Sequence, residues 1–325
     1  MKNIMKDDLA RQVLDGSPRA LARVITWVEN NDPRAAECME TLYPHMGRAH
    51  ILGLTGSPGA GKSSLTDQIT RYFRDAGKTV GIVAVDPSSP FTGGALLGDR
   101  IRMSRHAGDP GVFIRSMATR GFLGGLAQTT DNVVKVMDAS GKDVVIVETV
   151  GVGQDEIDIM RIADTICLIL APGYGDIIQS MKAGVMEIAD IYVINKSDHA
   201  GADQLYTEVS SRILQDSKIR KKEHPAPPVV KTVATEKTGI DDLMAAIESC
   251  RCRLQESGAL LEKRRERIRQ QTFQMIHFAL FQLLEKELAE NGRLDRLVDA
   301  IIEKRKNPYQ AMRDIVEEFI QVPAG

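Results

Sequence analysis

The chain is short of cysteine and of net charge, and each shortage excludes something. Its four cysteines, Cys38, Cys167, Cys250 and Cys252, have neither the density of a disulfide scaffold nor the spacing of a zinc site. Only Cys250 and Cys252 lie close together, a spacing that a helix produces by coincidence. The six histidines stand singly and form no metal-binding tract. A formal net charge of −2 gives no bulk electrostatic case for nucleic acid or for an anionic membrane. No apolar run reaches the ~18 residues a bilayer crossing needs, and the opening MKNIMKDDLA is too mixed and charged for a signal peptide. These absences predict a protein of the reducing cytoplasm, with neither nucleic acid nor membrane as partner. Its 325 residues suffice for one large α/β domain with smaller additions.

Glycine, by contrast, is concentrated where it can do chemistry. The eight residues Gly56-Ser57-Pro58-Gly59-Ala60-Gly61-Lys62-Ser63 fit the pattern GxxxxGK[ST] in full, with Ser64 following. They come after the apolar run Ile51-Leu52-Gly53-Leu54-Thr55 and before an amphipathic segment, Ser64 to Arg74. Strand, glycine-rich loop and helix in that order make a cradle for a nucleoside triphosphate. The glycines let successive backbone N–H groups turn inward around phosphate. Lys62 then reaches the β- and γ-phosphates, and the Ser63 hydroxyl ligates Mg²⁺.

The base preference is written further along, where Asn195-Lys196-Ser197-Asp198 ends a second apolar run. A carboxylate at Asp198 can accept two hydrogen bonds from guanine, from N1–H and the 2-amino group, whereas adenine offers neither in that arrangement. Hydrogen bonds to a charged group are worth about 1.5–3 kcal/mol each, enough to choose between bases. Lys196 would lie along the base, and Asn195 would brace the phosphate loop. Val233, Ala234 and Thr235 follow another strand and are placed to offer backbone N–H groups to the guanine carbonyl. GTP and GDP are the expected ligands, with Mg²⁺.

Three carboxylates are candidates for holding that metal. Asp86 ends the run Thr79 to Val85, Glu148 ends Asp143 to Val147, and Asp99 directly follows the Gly- and Ser-rich stretch 87–98 that reads as a switch loop. Glu148-Thr149-Val150-Gly151 is an ExxG, in which Gly151 can bring its N–H to the γ-phosphate. Small GTPases of the Ras type carry a water-orienting glutamine directly after this glycine. Here Val152 stands there, and Gln154 comes only later, so slow hydrolysis by the isolated chain is expected. Arg115 and Arg120 flank a glycine-rich loop, where they either reach a phosphate or a partner carboxylate or are simply solvated. The segment Ala171 to Lys182 reads as a further hinged loop over the site.

The organisation reads as three regions. Residues 1–48 form short helices, with Ser17-Pro18 and Asp32-Pro33 as starts and Leu21, Val24, Ile25 and Val28 as a packing stripe. Residues 49–252 alternate strand and helix, which predicts a doubly wound, mostly parallel α/β sheet; strands are expected near 50–55, 79–85, 143–148, 165–171, 190–195 and 228–232, with a weaker one at 112–115. Residues 253–325 carry helices only, with an apolar band through Ile268, Met275, Ile276, Leu280 and Leu283 wide enough to pair with a second copy. The basic cluster Lys263 to Arg267 on the first of these helices is interleaved with glutamate and reads as a solvated face.

The segments GSPGAGKSSL, VDPSSPFTGGALLGDRIRM, FIRSMATRGFLGGLA, ETVGVGQ and NKSD, in that order, resemble the MeaB/ArgK family of GTPases associated with methylmalonyl-CoA mutase. The likeness runs through nearly the whole chain. It implies a P-loop GTPase of the SIMIBI class, which also holds the signal-recognition-particle, urease and hydrogenase maturation GTPases, with helical extensions at both ends. It implies a homodimer that binds an adenosylcobalamin-dependent acyl-CoA mutase and uses GTP to gate cofactor loading, protection and reactivation. By motif match, Lys62, Asp86, Asp99 and Glu148 form the magnesium and hydrolysis site, while Gln179 and Lys182 couple a further switch to the mutase. A metal-inserting maturation GTPase, or a regulatory switch without a cobalamin client, would share the core motifs. The first of these ordinarily offers clustered His or Cys ligands, which this sequence lacks.

Overall fold

The computed structural model describes residues 4–87, 106, 108–119, 125–149, 159–173, 189–220, 226–290 and 292–319. Three helices come first, α1 (Ile4–Leu14), α2 (Pro18–Glu29) and α3 (Pro33–Leu42). The second and third start as the sequence predicts. Ser17 accepts a hydrogen bond from Ala20 N and Asp32 from Arg34 N, each followed by proline at the first helical position, where a missing N–H costs nothing. The strands are β1 (His50–Gly56), β2 (Val80–Pro87), β3 (Val112–Thr119), β4 (Val144–Glu148), β5 (Thr165–Leu170), β6 (Ile191–Asn195) and β7 (Val229–Thr232). They form one seven-stranded parallel sheet in the order β3-β2-β4-β1-β5-β6-β7. Connecting helices are α4 (Lys62–Asp75), α5 (Gly125–Ala139), α6 (Ala202–Arg220) and α7 (Ile240–Glu256).

Strand alternation decides which residue goes to which face. Ile51, Val83, Val85, Val145 and Val147 point into a core shared with α5 and the N-terminal helices. Their neighbours Leu52, Leu54, Ile82, Ala84, Val144 and Ile146 point the other way, onto Leu65 and Ile69 of α4 and Leu243, Met244 and Ile247 of α7. With helices on both faces, β4, β5 and β6 are buried along their whole length. The predicted stripe of α2, Leu21, Val24, Ile25 and Val28, is buried in the first core, so these helices are part of the packing of the sheet. Arg115 on β3 fastens them further, with Nε 2.9 Å from Glu29 Oε1 and Nη2 3.2 Å from Thr26 Oγ1. Of the readings open to Arg115, pairing with a carboxylate is the one seen, and the carboxylate belongs to α2.

The amino edge of the sheet is closed by a repeated device. Asp143, Asp164 and Asp190 each stand one residue before a strand, and each accepts the N–H of a neighbouring chain segment: Thr79 (2.8 Å), Ile51 (3.1 Å) and Ile166 (3.0 Å). The helix α8 (Ala259–Glu290) joins here through its first turns. Arg264 binds Asp164 at 2.6 Å and the carbonyls of Gly47 and Ala49, and Lys263 reaches Asp190 at 3.1 Å. The reading of this basic cluster as a solvated face therefore fails for Lys263 and Arg264. Carboxylates far away in sequence, invisible to a local pattern, claim both cations.

The chain divides into two compact units, residues 1–264 and 265–325. The second contains most of α8, with α9 (Arg293–Ile302) and α10 (Pro308–Phe319), the last capped by Asn307, whose Oδ1 accepts from Gln310 N. Among the described residues no helix is long and apolar enough to cross a membrane.

Candidate functional site

The loop between β1 and α4 lies at the carboxyl edge of the sheet, next to the tips of β4 and β5. Gly56, Gly59 and Gly61 all have positive φ, +142°, +76° and +94°. A Cβ at Gly61 would sit 2.2 Å from Asn195 Nδ2, so both the backbone conformation and the close approach require glycine. Lys62 and Ser63 open α4, whose first-turn N–H groups have no acceptor within the helix and face the loop. The Lys62 ammonium is buried and donates to Gly56 O at 2.7 Å and Ser57 O at 3.0 Å. Ser57 is half-buried, Ala60 is buried, and Pro58, Gly59 and Ser64 are exposed along the rim.

Behind the loop stands Glu148. Its register in β4, opposite Leu54 of β1 and Ala84 of β2, brings its buried carboxylate beneath α4. Ser63 Oγ lies 2.6 Å from Oε1 and Thr66 Oγ1 lies 2.7 Å from Oε2. Next to it, Thr149 N donates to Leu54 O, and the Thr149 and Thr55 hydroxyls meet at 3.0 Å, tying the start of the ExxG segment to the strand that carries the loop. Asp86 lies two residues beyond Ala84, at the end of β2 and paired with Ala118. Asp99, Arg120, Gly151, Gln179 and Lys182 fall outside the described residues.

The NKSD segment is joined directly to the phosphate loop. Asn195 donates from Nδ2 to Ala60 O at 2.8 Å, while its Oδ1 accepts from Thr232 Oγ1 at 3.1 Å and Ala234 N at 3.2 Å. One buried amide thus links β6, the loop after β7 and the glycine-rich loop. Lys196 has φ +55°, a left-handed conformation that turns the chain sharply after the strand. Asp198 is exposed beyond it, 3.6 Å from the His199 ring. The N–H groups of Val233 and Ala234 are committed within the loop, to Thr238 O and Asn195 Oδ1. The expectation of three N–H groups facing a base carbonyl therefore narrows to Thr235, which is exposed.

Sequence reasoning passed over Thr66 and Thr232. The first had a signal: Thr66 lies three residues after Ser63, on the same helix face. The second had none, because its partner Asn195 is 37 residues away. As chemistry, the arrangement offers inward N–H groups and an ammonium for a polyphosphate, and neutral hydroxyls with a carboxylate for a hard cation. The donor set of Ser63 and Glu148 is all oxygen, which fits Mg²⁺.

Comparison with known proteins agrees with this geometry. Residues 21–289 match the family model described as methylmalonyl-CoA mutase-associated GTPase MeaB. A Pyrococcus abyssi protein named as a GTPase is 48% identical over 97% of each chain. The Escherichia coli GTPase ArgK is 37% identical over 96% of this chain and 95% of its own. Among solved structures, one described as a LAO/AO transport system kinase superposes with a TM-score of 0.69 at 27% identity, covering 98% of this chain and 99% of that one. The glycine-rich cradle, its bridge to the NKSD strand and these matches lead to one assignment: the chain is a GTPase that binds guanine nucleotide, and it belongs to the MeaB family.

Proposed function

We propose that this GTPase serves an adenosylcobalamin-dependent acyl-CoA mutase, in the first place methylmalonyl-CoA mutase, and gates the loading, protection and reactivation of its cofactor. The match to a mutase-associated family over residues 21–289 carries this reading. In the proposed site, residues 56–64 cradle the phosphates, and Asp198, Lys196 and Thr235 contact the base. Ser63, Glu148, Asp86 and Asp99 would hold Mg²⁺, directly or through water. When bound, the metal would supply positive charge to offset the charge that develops on the transferred phosphoryl group. Lys62 exchanges the carbonyls of Gly56 and Ser57 for phosphate oxygens, so its charge stays paired throughout. Glu148 fixes the Ser63 hydroxyl, leaving an oxygen lone pair for the metal.

Val152 cannot orient water, so hydrolysis is slow until the mutase is engaged. Gln179 and Lys182 transmit that engagement. Two copies pair through the helices of the second unit, where Phe273, Met275, Phe278, Leu280, Phe281 and Leu283 are each more than half exposed, a larger apolar surface than an isolated chain ordinarily leaves to water. The complex works in the cytoplasm. Gel filtration of the purified chain with a purified methylmalonyl-CoA mutase, in GDP and in a non-hydrolysable GTP analogue, tests the reading. A nucleotide-dependent complex with accelerated GTP turnover is expected; no complex in either state overturns it. Changing Gln179 or Lys182 should weaken the acceleration and spare the unstimulated rate.

A further inference from the structure

We propose that Thr66 is a positioning residue for Glu148, setting the plane of its carboxylate so that Ser63 and the metal meet it in one fixed orientation. This deepens the magnesium-site reading above and rests on it. Thr66 is fully buried on α4, one turn after Ser63. Its hydroxyl is 2.7 Å from Glu148 Oε2 and 3.1 Å from its own helix's Lys62 O. A hydroxyl has a single proton. The shorter contact and the charged acceptor both favour donation to Glu148, because hydrogen bonds to ionised groups are the stronger kind. Ser63 Oγ donates to the other oxygen, Oε1, at 2.6 Å.

Two donors on two oxygens do what one cannot. The terminal torsion of a glutamate is broad, with no steep wells of its own. A bond from Ser63 to Oε1 does not by itself set where Oε2 lies. The second bond, from Thr66 to Oε2, sets that position. Ser63 and Thr66 are three apart, so one rigid helix face presents both hydroxyls, and that helix begins at Lys62 in the phosphate loop. The orientation of Glu148 is therefore locked to the loop. Thr66 touches neither nucleotide nor metal in this scheme and acts only through Glu148.

The test compares the full chain with Thr66→Val, which keeps the shape and removes the hydroxyl, and with Thr66→Ser, which restores it. Fluorescent GDP binding is titrated with Mg²⁺, and GTP turnover is followed at saturating nucleotide. For Thr66→Val, kcat should fall and the Mg²⁺ concentration for half-maximal effect should rise, each by about tenfold, as expected for loss of one bond to a charged group. Nucleotide affinity without Mg²⁺ and KM for GTP should stay within about twofold, and Thr66→Ser should recover most of the loss. In a Glu148→Gln background the Thr66→Val change should add nothing, because its effect passes through the carboxylate. Wild-type magnesium dependence in Thr66→Val overturns the proposal, as does a full additional loss in the Glu148→Gln background. Absence of any Mg²⁺ effect on the wild-type chain instead removes the magnesium site itself, and the role of Thr66 with it.

Discussion

The two edges of the sheet use carboxylates in opposite ways. At the amino edge Asp143, Asp164 and Asp190 take backbone N–H groups from neighbouring segments, and Arg264 and Lys263 add charge to two of them. At the carboxyl edge Glu148 takes the hydroxyls of Ser63 and Thr66. An N–H or a guanidinium has nothing to offer a cation, so an aspartate bound that way is committed to structure. A hydroxyl can donate to a carboxylate and still present a lone pair to a metal. Burial alone does not separate the two classes, since Asp164 and Glu148 are both almost wholly buried. The partners separate them.

The sharpest way to break this contrast is at Asp164. Asp164→Ala leaves the Arg264 guanidinium with carbonyl partners only and the Ile51 N–H without its acceptor, and removing one member of a buried pair costs about 3–5 kcal/mol. Chemical denaturation should show that loss, while the folded fraction still binds GTP. A midpoint equal to wild type would mean that the amino edge contributes no more to stability than the surface does. The mirror experiment is Glu148→Gln. It should leave unfolding within about 1 kcal/mol of wild type and slow single-turnover hydrolysis by about a hundredfold, the scale of a lost electrostatic contact in a transition state. Loss of stability without loss of rate would put Glu148 in the structural class.

A smaller effect sharpens the comparison at the base. Asp198 is exposed and carries no part of the core, so Asp198→Asn should be silent in unfolding. Preference for GTP over ATP, measured by competition, should fall by about ten- to a hundredfold, as expected for weakened bonds to a charged acceptor. Unchanged discrimination would move base selection elsewhere in the NKSD loop.

What the sequence made legible was whatever is local. Apolar runs, most of them bounded by glycine or aspartate, mark six of the strands, and the phosphate loop announces itself in eight consecutive residues. The seventh strand, β3, gave a faint signal for a physical reason. It is an edge strand, half-exposed from Val112 to Ser116, and it carries Arg115 where an apolar residue would otherwise stand. Illegible were the contacts that depend on strand order. Asp164 and Ile51 are 113 residues apart, and Arg264 and Asp164 are 100 apart. An aspartate before a strand is visible in the sequence; which neighbour it caps is decided by β4 lying between β2 and β1 and by β5 lying beyond. The candidate site divides in the same way. Lys62, Ser63 and Asn195 stand in motifs, whereas Thr66 acquires its meaning only from Glu148, 82 residues on.

The smallest expected effect concerns acid. His50, at the start of β1, is held neutral: burial pushes its pKa below 6.5, the positive Arg251 and Arg264 add to the shift, and Asp164 and Glu248 oppose it. Its ring nitrogen meets Thr165 Oγ1 at 3.0 Å. A histidine whose folded pKa is lowered contributes stability that is complete above its unfolded value and is lost as pH falls through the folded one. The other perturbed groups nearby titrate elsewhere. Arg74 holds Asp109, and Arg251 holds Glu248, below the ordinary carboxylate range, so their contributions are lost only at pH values under about 4. Between about pH 7.5 and 5, then, His50 adds a decline of stability with falling pH at the amino edge. Urea midpoints of the wild-type chain should decline over that interval, and those of His50→Gln should decline less, because glutamine has no proton to gain. Equal slopes would show that the ring is as easily protonated when folded as when unfolded. The amino edge would then contain a charge-tolerant site, and the contrast with the carboxyl edge would have to rest on Asp164 alone.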